Sequence, residues 1–340
     1  MKLNAEGVVL GERMQRRKFI KLIGSAAVAS PVAALAQQPS SLRRVPNVGI
    51  LNYAAAEDAL VGEFRHALRG LGHIEGQTLT ITYRWADGRF ERLPSLAAEL
   101  VASKVDVIIA LGPATWAVKA ATNTIPIVIA FSGDPVGNGV VSNLARPGGN
   151  ITGFSYMSTD LAAKRVELLS QTFTKNGRIG ILYNPAEPAT ALEMRETEAA
   201  ARAVGVTLQP LAVGNPDELN ERFTAAVHEQ ADALIVFTHG FAVLNRKRII
   251  EQAASQRLPT MYGWREFVDE GGLMSYGPNV SVMVGKAASY VDRIIKGEKP
   301  GELPIEQPAR LELIVNLKTA KTLGLNVSPT LLARADEVIE

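Results

Sequence analysis

The sequence predicts an α/β fold made of two similar lobes, each a doubly wound parallel sheet, joined by hinge segments. The first observation is that short apolar runs alternate with amphipathic stretches of helix length along most of the chain. Such a βαβ series implies parallel strands covered by helices on both faces. The second observation is that the series occurs twice. The chain has 340 residues, 47% of them hydrophobic, which is enough for two domains of ordinary size.

Three pairs of similar strand motifs follow one another in the same order. They pair residues 48–51 with 179–182, 105–109 with 231–235, and 125–127 with 258–260. Gly49 and Gly180 hold the same place in the first pair, and Asp106 and Asp232 in the second. Apolar strands look alike, so one pair would mean little. Three pairs in one order favour two similar lobes over a single large sheet.

Taken in chain order, the first strand run is 48–51, and a helix follows it. Its apolar face carries Leu60, Val61, Phe64, Ala67, Leu68 and Leu71, and Gly72 ends it. Further apolar runs end at Leu111, Ala130, Tyr183, Val213, Phe237, Tyr262 and Ser275. Residues 280–296 have the pattern of a helix and 311–315 that of another strand.

A breaker cluster, Pro147-Gly148-Gly149-Asn150, separates the two series. We expect the N-terminal lobe to contain residues 45–153 and about 278–308, and the C-terminal lobe 154–277 and about 309–340. The chain therefore crosses between the lobes more than once.

Residues 1–36 have the pattern of an export signal. Arg16 and Arg17 open a basic cluster, a weakly apolar stretch covers 22–35, and small residues precede a cleavage point near Ala36. The arginine pair resembles a twin-arginine signal, and Met14 is an alternative start. Polar residues interrupt the apolar stretch, so it is too short for a membrane anchor. We expect a soluble periplasmic protein with no stable membrane insertion.

Composition and motifs argue against several other classes. After residue 36 the acidic residues slightly outnumber the basic ones, with no basic stripe for nucleic acid. The sequence has no cysteine, and its four scattered histidines lack metal-ligand spacing. The segment 153–157 lacks the closing glycine of a nucleophile elbow. We therefore predict no catalytic residues, no metal and no cofactor, in a protein that is not an enzyme.

Two loops at predicted strand ends form the candidate ligand site. Ligands of open parallel sheets bind beyond the carboxyl ends of the strands. In 112–115, a glycine, a proline and Thr115 suit a helix start, which favours an anion. In the next loop, Ser132 and Asp134 offer a hydroxyl and a negative charge. Together these loops would hold a zwitterion by its two ends.

Aromatic residues also follow strand ends, at Tyr53, Tyr156, Tyr262, Trp264 and Tyr276. Tyrosines are often half-buried packing residues. Five such residues at loop positions, in a chain that is 6% aromatic, favour a flat ligand between the lobes.

A set of motifs carries a family resemblance across residues 45–340. They lie at 112–115, 132–136, 148–153, 182–185, 265–277, 317–321 and 331–336. On these motifs the chain resembles the extracytoplasmic substrate-binding proteins of ABC transporters, in the family that has the type I periplasmic-binding fold and includes tryptophan-binding members. The resemblance implies capture of a small ligand, such as one like an aromatic amino acid, by lobe closure, and delivery to an ABC permease of the inner membrane.

The resemblance and the strand-end loops together predict that sixteen residues of this chain contact the ligand. They are Asn52, Tyr53, Gly112, Pro113, Ala114, Thr115, Ser132, Asp134, Pro135, Tyr156, Asn184, Thr238, His239, Tyr262, Trp264 and Glu266.

Three other classes of protein are alternatives to this interpretation. A DNA-binding repressor would need a helix-turn-helix domain where this chain has its export signal, and an exported enzyme lacks a recognisable nucleophile. A ligand sensor for a membrane receptor stays open as an alternative.

Overall fold

The strands of the protein form two separate sheets in the computed structural model. The structure describes residues 44–56, 58–173, 175 and 177–340. The predicted export signal lies outside these residues.

The elements alternate between strands and helices. The strands are β1 (Asn47–Asn52), β2 (Thr80–Trp85), β3 (Val107–Leu111), β4 (Ile127–Ser132), β5 (Ile151–Ser155), β6 (Arg178–Tyr183), β7 (Thr207–Ala212), β8 (Ala233–Val236), β9 (Thr260–Tyr262), β10 (Met274–Gly277), β11 (Ile305–Glu306), β12 (Glu312–Asn316) and β13 (Glu337–Ile339). The helices are α1 (Ala59–Gly70), α2 (Leu93–Ala102), α3 (Ala114–Ala121), α4 (Ser158–Phe173), α5 (Thr190–Val204), α6 (Leu219–His228), α7 (Gly240–Leu244), α8 (Arg246–Ser255), α9 (Arg265–Asp269), α10 (Val280–Ile295), α11 (Leu317–Leu323) and α12 (Pro329–Arg334).

The two sheets have matching strand orders, which confirms the predicted fold class. The first sheet runs β11-β5-β4-β3-β1-β2 and the second β13-β12-β10-β9-β8-β6-β7. All pairings are parallel except that of β12 with β10, which is antiparallel. We call the elements of the first sheet, with the helices packed on it, the first lobe, and those of the second sheet the second lobe.

The paired sequence motifs occupy equivalent places in the two sheets. The Asp106 carboxylate accepts a hydrogen bond from the backbone N–H of Asn47 at 2.7 Å, and that of Asp232 from Arg178 at 3.1 Å. Each of these aspartates thereby fixes the start of the strand that lies next to the edge strand of its own sheet, β1 or β6. The repeated aspartate in the sequence therefore reflects a repeated role at the edge of each lobe.

Helix α1 buries most of the apolar face that the sequence predicts. Val61, Phe64 and Leu68 are buried, and the Asp58 side chain caps the helix by accepting the backbone N–H of Leu60. Leu71, which the pattern placed on the same face, is 44% exposed because the helix has ended before it.

The chain passes between the sheets three times, after β5, after β10 and after β11. Helix α10 follows the second passage and packs on α1 and on strands of the first sheet. The lobe boundaries expected from the sequence stay a prediction. None of the described helices is both long and apolar enough to cross a membrane.

Candidate ligand site between the lobes

A cavity lies between the lobes, at the carboxyl ends of the strands of both sheets. Its volume is about 70 Å³, which is room for about five waters at roughly 10–15 Å³ each. The first lobe contributes residues that follow β1, β3 and β4, and the second lobe residues that follow β5, β6, β8 and β9. Parallel sheets place their ligands at this edge.

The loop after β1 forms one wall. Asn52 donates from Nδ2 to the Asp58 carboxylate at 2.6 Å and accepts the backbone N–H of Ala54 at 3.1 Å. Next to it, the Tyr53 hydroxyl donates to the carbonyl of Gly88 at 2.6 Å. These bonds fix the loop, and they leave the side chains of Asn52, Tyr53 and Asp58 on the cavity.

The loop between β3 and α3 forms the adjoining wall. Gly112 has a φ of 59°, a left-handed conformation that favours glycine. A Cβ there would also lie 3.3 Å from the ring of Phe131. The glycine thus lets the chain turn into α3 beneath that ring, with Pro113 and Trp116 on the cavity.

Three aromatic rings from both lobes meet at the cavity. The Phe131 and Trp264 rings are perpendicular, with centroids 5.3 Å apart, and Tyr156 meets Trp264 edge-on at 5.9 Å. All three residues line the cavity and are at most 8% exposed. Phe131 belongs to the first lobe and Trp264 to the second, so this cluster bridges the lobes.

The lobes touch at Gly240, the first residue of α7. A Cβ added there would lie 2.5 and 2.7 Å from two ring carbons of Tyr53 and 3.3 Å from Pro113. Ordinary carbon contacts are about 3.5–4.0 Å. Since Gly240 belongs to the second lobe and the other two to the first, the structure is a closed form.

A buried carboxylate, Glu187, forms part of the second-lobe wall. Asn184 shapes the loop that carries it, because the Asn184 carbonyl accepts the Glu187 N–H at 3.2 Å. The two Glu187 oxygens accept the backbone N–H groups of Gly240 and Phe241, at 3.0 and 2.8 Å. Burial raises the pKa of Glu187 above its usual range.

An ionic cluster lies behind this wall. Arg165 is 1% exposed and donates to Glu193 at 3.1 Å and to the carbonyl of Tyr276 at 3.0 Å. His239 Nε2 lies 3.2 Å from the other Glu193 oxygen, and His239 Nδ1 lies 3.3 Å from the Tyr156 hydroxyl. The cluster therefore joins the cavity wall to the end of β10, where the chain leaves the second lobe.

Burial and neighbouring charges shift the pKa of His239 in opposite directions. Burial lowers its pKa, whereas the carboxylates of Glu193 and Glu187 raise it, and the net pKa is above its usual value. Burial lowers the pKa of Arg165, which Glu193 offsets in part.

Nine of the sixteen residues expected from the sequence line this cavity. They are Asn52, Tyr53, Gly112, Pro113, Ser132, Tyr156, Thr238, His239 and Trp264. The structure does not place the other seven on it. They are Ala114, Thr115, Asp134, Pro135, Asn184, Tyr262 and Glu266.

Those in the first lobe are used for packing, for a turn and for a contact with the second lobe. Ala114 and Thr115 are buried inside the lobe. Asp134 accepts the Gly137 N–H at 2.7 Å and the Thr159 hydroxyl at 3.1 Å, at a separate surface depression. The Pro135 carbonyl closes the same loop.

Those in the second lobe are also used locally. Tyr262 stacks on Phe267 with centroids 4.7 Å apart in the core. Glu266 is half-buried on α9, and burial raises its pKa. Asn184 caps its own loop by accepting the Ala186 N–H at 2.9 Å.

Sequence reasoning missed several lining residues, chiefly Phe131, Glu187, Asp58 and Trp116. Phe131 directly follows the apolar run that ends at Ala130 and continues strand β4, so nothing in the sequence marks its ring as facing a ligand. Glu187 follows the motif 182–185, which includes the end of β6. The rule that ligands bind beyond the carboxyl ends of parallel strands, applied to β6, would have indicated it.

Within the described part of the chain, no group of three or more His, Cys, Asp or Glu residues has the arrangement of a metal site. The arrangement described here can enclose a small molecule, place rings against it and surround it with fixed hydrogen-bonding groups.

Two mostly parallel sheets with a cavity at their facing strand ends have the architecture of two-lobed binding proteins. The family described as ABC transporter substrate binding protein matches residues 48–339, and the chain belongs to that family. The resemblance found in the sequence motifs is thereby confirmed. The family is one of extracytoplasmic proteins that bind small molecules for ABC transporters.

Individual relatives agree with this assignment. A tyrosine-binding protein of Clostridioides difficile (strain R20291) is 26% identical over 288 residues, 83% of this chain and 82% of the relative. A conserved domain protein from Vibrio cholerae is 25% identical, with a TM-score of 0.80 over 87% of this chain and all of the other. An ABC domain from Streptococcus pneumonia in complex with L-Trp shares the fold, with 24% identity and a TM-score of 0.77 over 86% of this chain and all of the other.

Proposed function

We propose that the protein captures a small ligand of the aromatic amino-acid type in the interlobe cavity and delivers it to an ABC permease. The observation that carries this proposal is the cavity at the strand ends, lined by Phe131, Tyr156 and Trp264 from both lobes. The tyrosine-binding relative, which matches most of the chain, supports the ligand class.

Binding is coupled to closure. The ligand stabilises the closed form through contacts that it cannot make with the open form. Phe131 and Trp264 lie on opposite lobes, so a flat ligand that packs against this pair of rings touches both only after closure. A dissociation constant near micromolar corresponds to about −8 kcal/mol, which one stacked ring and a few charge-assisted hydrogen bonds in a desolvated site can supply.

Export and delivery complete the proposal. Residues 1–36 direct the chain to the periplasm and are removed near Ala36, and the permease recognises the closed pair of lobes. The work of the protein is binding alone: no bond of the ligand is broken, and no cofactor takes part.

Titration calorimetry of the protein with L-tyrosine and L-tryptophan tests the ligand class, with L-aspartate and L-leucine as comparison ligands. We expect micromolar binding of at least one aromatic amino acid. Binding of neither aromatic amino acid contradicts the proposal.

A matched pair of variants tests the place of binding. Phe131→Leu removes a ring from the cavity, whereas Phe223→Leu removes a buried ring of the second-lobe core that does not line it. We expect the first to weaken binding about tenfold or more and the second to leave the affinity unchanged. Equal effects of the two variants contradict a site at this cavity.

A further inference from the structure

Arg165 is a buried charged residue that does not line the cavity. Its side chain is 1% exposed, and it donates from Nη1 to Glu193 at 3.1 Å and from Nε to the carbonyl of Tyr276 at 3.0 Å. A buried ion pair is weak evidence for stability, because the loss of hydration offsets much of the attraction between the charges. The place of this pair in the fold therefore indicates what else it does.

Two of the three passages between the sheets meet at this guanidinium. The first passage, after β5, leads directly into α4, which carries Arg165. The second passage leaves the second sheet at the end of β10, where the Tyr276 carbonyl accepts the hydrogen bond from Arg165. Lobes that close around a ligand rotate about such passages, where a few residues absorb the change in backbone angles. Arg165 thus connects the two passages on the side of the second lobe.

Two glycines bring the ends of β9 and β10 together beside the guanidinium. A Cβ on Gly277, the last residue of β10, would collide with the carbonyl oxygen of Gly263. A Cβ on Gly263, which follows β9, would lie 2.9 Å from Nη2 of Arg165. Neither position has room for a side chain, and Gly263 directly precedes Trp264 at the cavity. A displaced guanidinium would therefore displace the backbone that carries Trp264.

A second connection runs from Arg165 to the cavity wall through Glu193. The other oxygen of Glu193 lies 3.2 Å from Nε2 of His239, and His239 lines the cavity. His239 directly precedes α7, whose first residue, Gly240, meets the first lobe. Through the two connections Arg165 supports both Trp264 and the start of α7, which are parts of the second lobe that face the first.

We propose that Arg165 is a positioning residue for lobe closure. It holds the ends of both passages and the cavity wall as one rigid unit, so that the lobes meet in register around the ligand. The inference rests on the proposed function and adds a residue that touches no ligand but acts through Trp264 and His239. Contact groups of a binding site must be held within about 0.5 Å of their productive positions, and a planar guanidinium with fixed donors suits this task.

Arg165→Lys tests this role while keeping the positive charge. Lysine still faces Glu193, but it lacks the planar fork and the Nε donor that reach Glu193 and the Tyr276 carbonyl together. We expect calorimetry with L-tyrosine, well below the midpoint of thermal unfolding, to give an affinity at least fivefold lower than that of the wild type. Small-angle scattering at saturating tyrosine should show less compaction than in the wild type.

A merely structural role predicts a different result. A residue that only stabilises the fold would lower the melting temperature and leave the affinity of the folded protein unchanged. An affinity of Arg165→Lys that is less than fivefold below that of the wild type therefore overturns the proposal and leaves the proposed function standing. Failure of the wild type to bind any aromatic amino acid refutes the proposed function instead.

His73→Leu is the matched control, because it breaks another polar pair of low exposure. His73 Nε2 lies 2.8 Å from the Asp292 carboxylate, the two side chains are 14% and 10% exposed, and neither lines the cavity. We expect this variant to lower the melting temperature and to change the affinity less than twofold. A loss of affinity equal to that of Arg165→Lys would mean that the loss of any such pair weakens binding, and it would also overturn the proposal.

A measurement on the wild type decides the matter if Arg165→Lys does not fold or if the ligand class is wrong. NMR of the arginine side chains reports how fast the Nε–H of Arg165 exchanges with solvent in the ligand-free protein. We expect slow exchange, because the bond to the Tyr276 carbonyl belongs to the rigid unit and persists when the lobes open. Fast exchange would mean that the ligand-free protein lacks this anchor, which overturns the proposal.

Discussion

Replacing Gly240 by alanine tests whether ligand binding requires the tight closure seen in the structure. The new Cβ would lie 2.5 and 2.7 Å from carbons of the Tyr53 ring, about 1 Å less than an ordinary carbon contact. The ring cannot swing aside, because Tyr53 is 4% exposed, bonds to the Gly88 carbonyl and packs on Phe90. The closed form must therefore strain or separate the lobes.

The extra methyl group raises the free energy of the closed form alone. Overpacking by a methyl group costs about 1–3 kcal/mol, and each 1.4 kcal/mol is a factor of ten in affinity. The variant should therefore bind the ligand about 5- to 150-fold more weakly. The melting temperature of the ligand-free protein should hardly change, because the open form has no such contact.

Titration calorimetry with L-tyrosine measures the affinity, and Gly214→Ala is the matched control. Gly214 belongs to the same lobe, and a Cβ there meets nothing within 4 Å. An affinity of Gly240→Ala within twofold of the wild type would refute the reasoning, since it would mean that the ligand binds without this closed contact.

Three further predictions concern the groups around the site. Thr159→Val removes the 3.1 Å hydrogen bond to Asp134 across the lobes, and it should weaken ligand binding by about two- to tenfold in calorimetry, since a typical hydrogen bond contributes about 0.5–1.5 kcal/mol. Arg165→Met leaves Glu193 buried without its guanidinium, and it should lower the unfolding free energy measured in urea by about 3–5 kcal/mol. The raised pKa of His239 contributes stability that is present below its ordinary pKa of 6.5 and is lost as the pH rises through the raised value. The unfolding free energy of the ligand-free protein should therefore fall from pH 6.5 to 8.5. The fall should be less steep in His239→Gln.

Each of these predictions has a contradicting result. Unchanged affinity in Thr159→Val would mean that its hydroxyl does not hold the lobes together. A loss below 1 kcal/mol in Arg165→Met would mean that Glu193 finds another partner. A pH profile of stability that is the same with and without His239 would mean that its proton is not linked to folding.

The alternating pattern was enough to predict the fold class, because buried parallel strands are continuous apolar runs. The strands that the pattern missed are β2, β5, β11 and β13. Strand β2 is half-buried and mixes polar with apolar residues, and β11 has two residues. Short or half-exposed strands carry too few apolar positions to show a period. Strand β5 is buried, but Ile151 and Phe154 are its only large apolar residues.

The site was predictable to the level of loops but not of side chains. The strand-end rule pointed to the loops after β1, β3, β4 and β8, and the cavity lies there. A polar residue in such a loop can equally cap its own turn, as Asp134 does, or fold inward, as Thr115 does. Only the packing of the two lobes against each other distinguishes these uses, and a linear sequence does not contain that packing.

The account depends most on the claim that the ligand binds between the strand ends of the two lobes. A crystal structure of the protein grown with L-tyrosine measures this directly. We predict density for the ligand in the cavity, with its ring against Phe131 and Trp264. A tyrosine bound to the outer face of either lobe, with the cavity filled by side chains or water, would contradict the account.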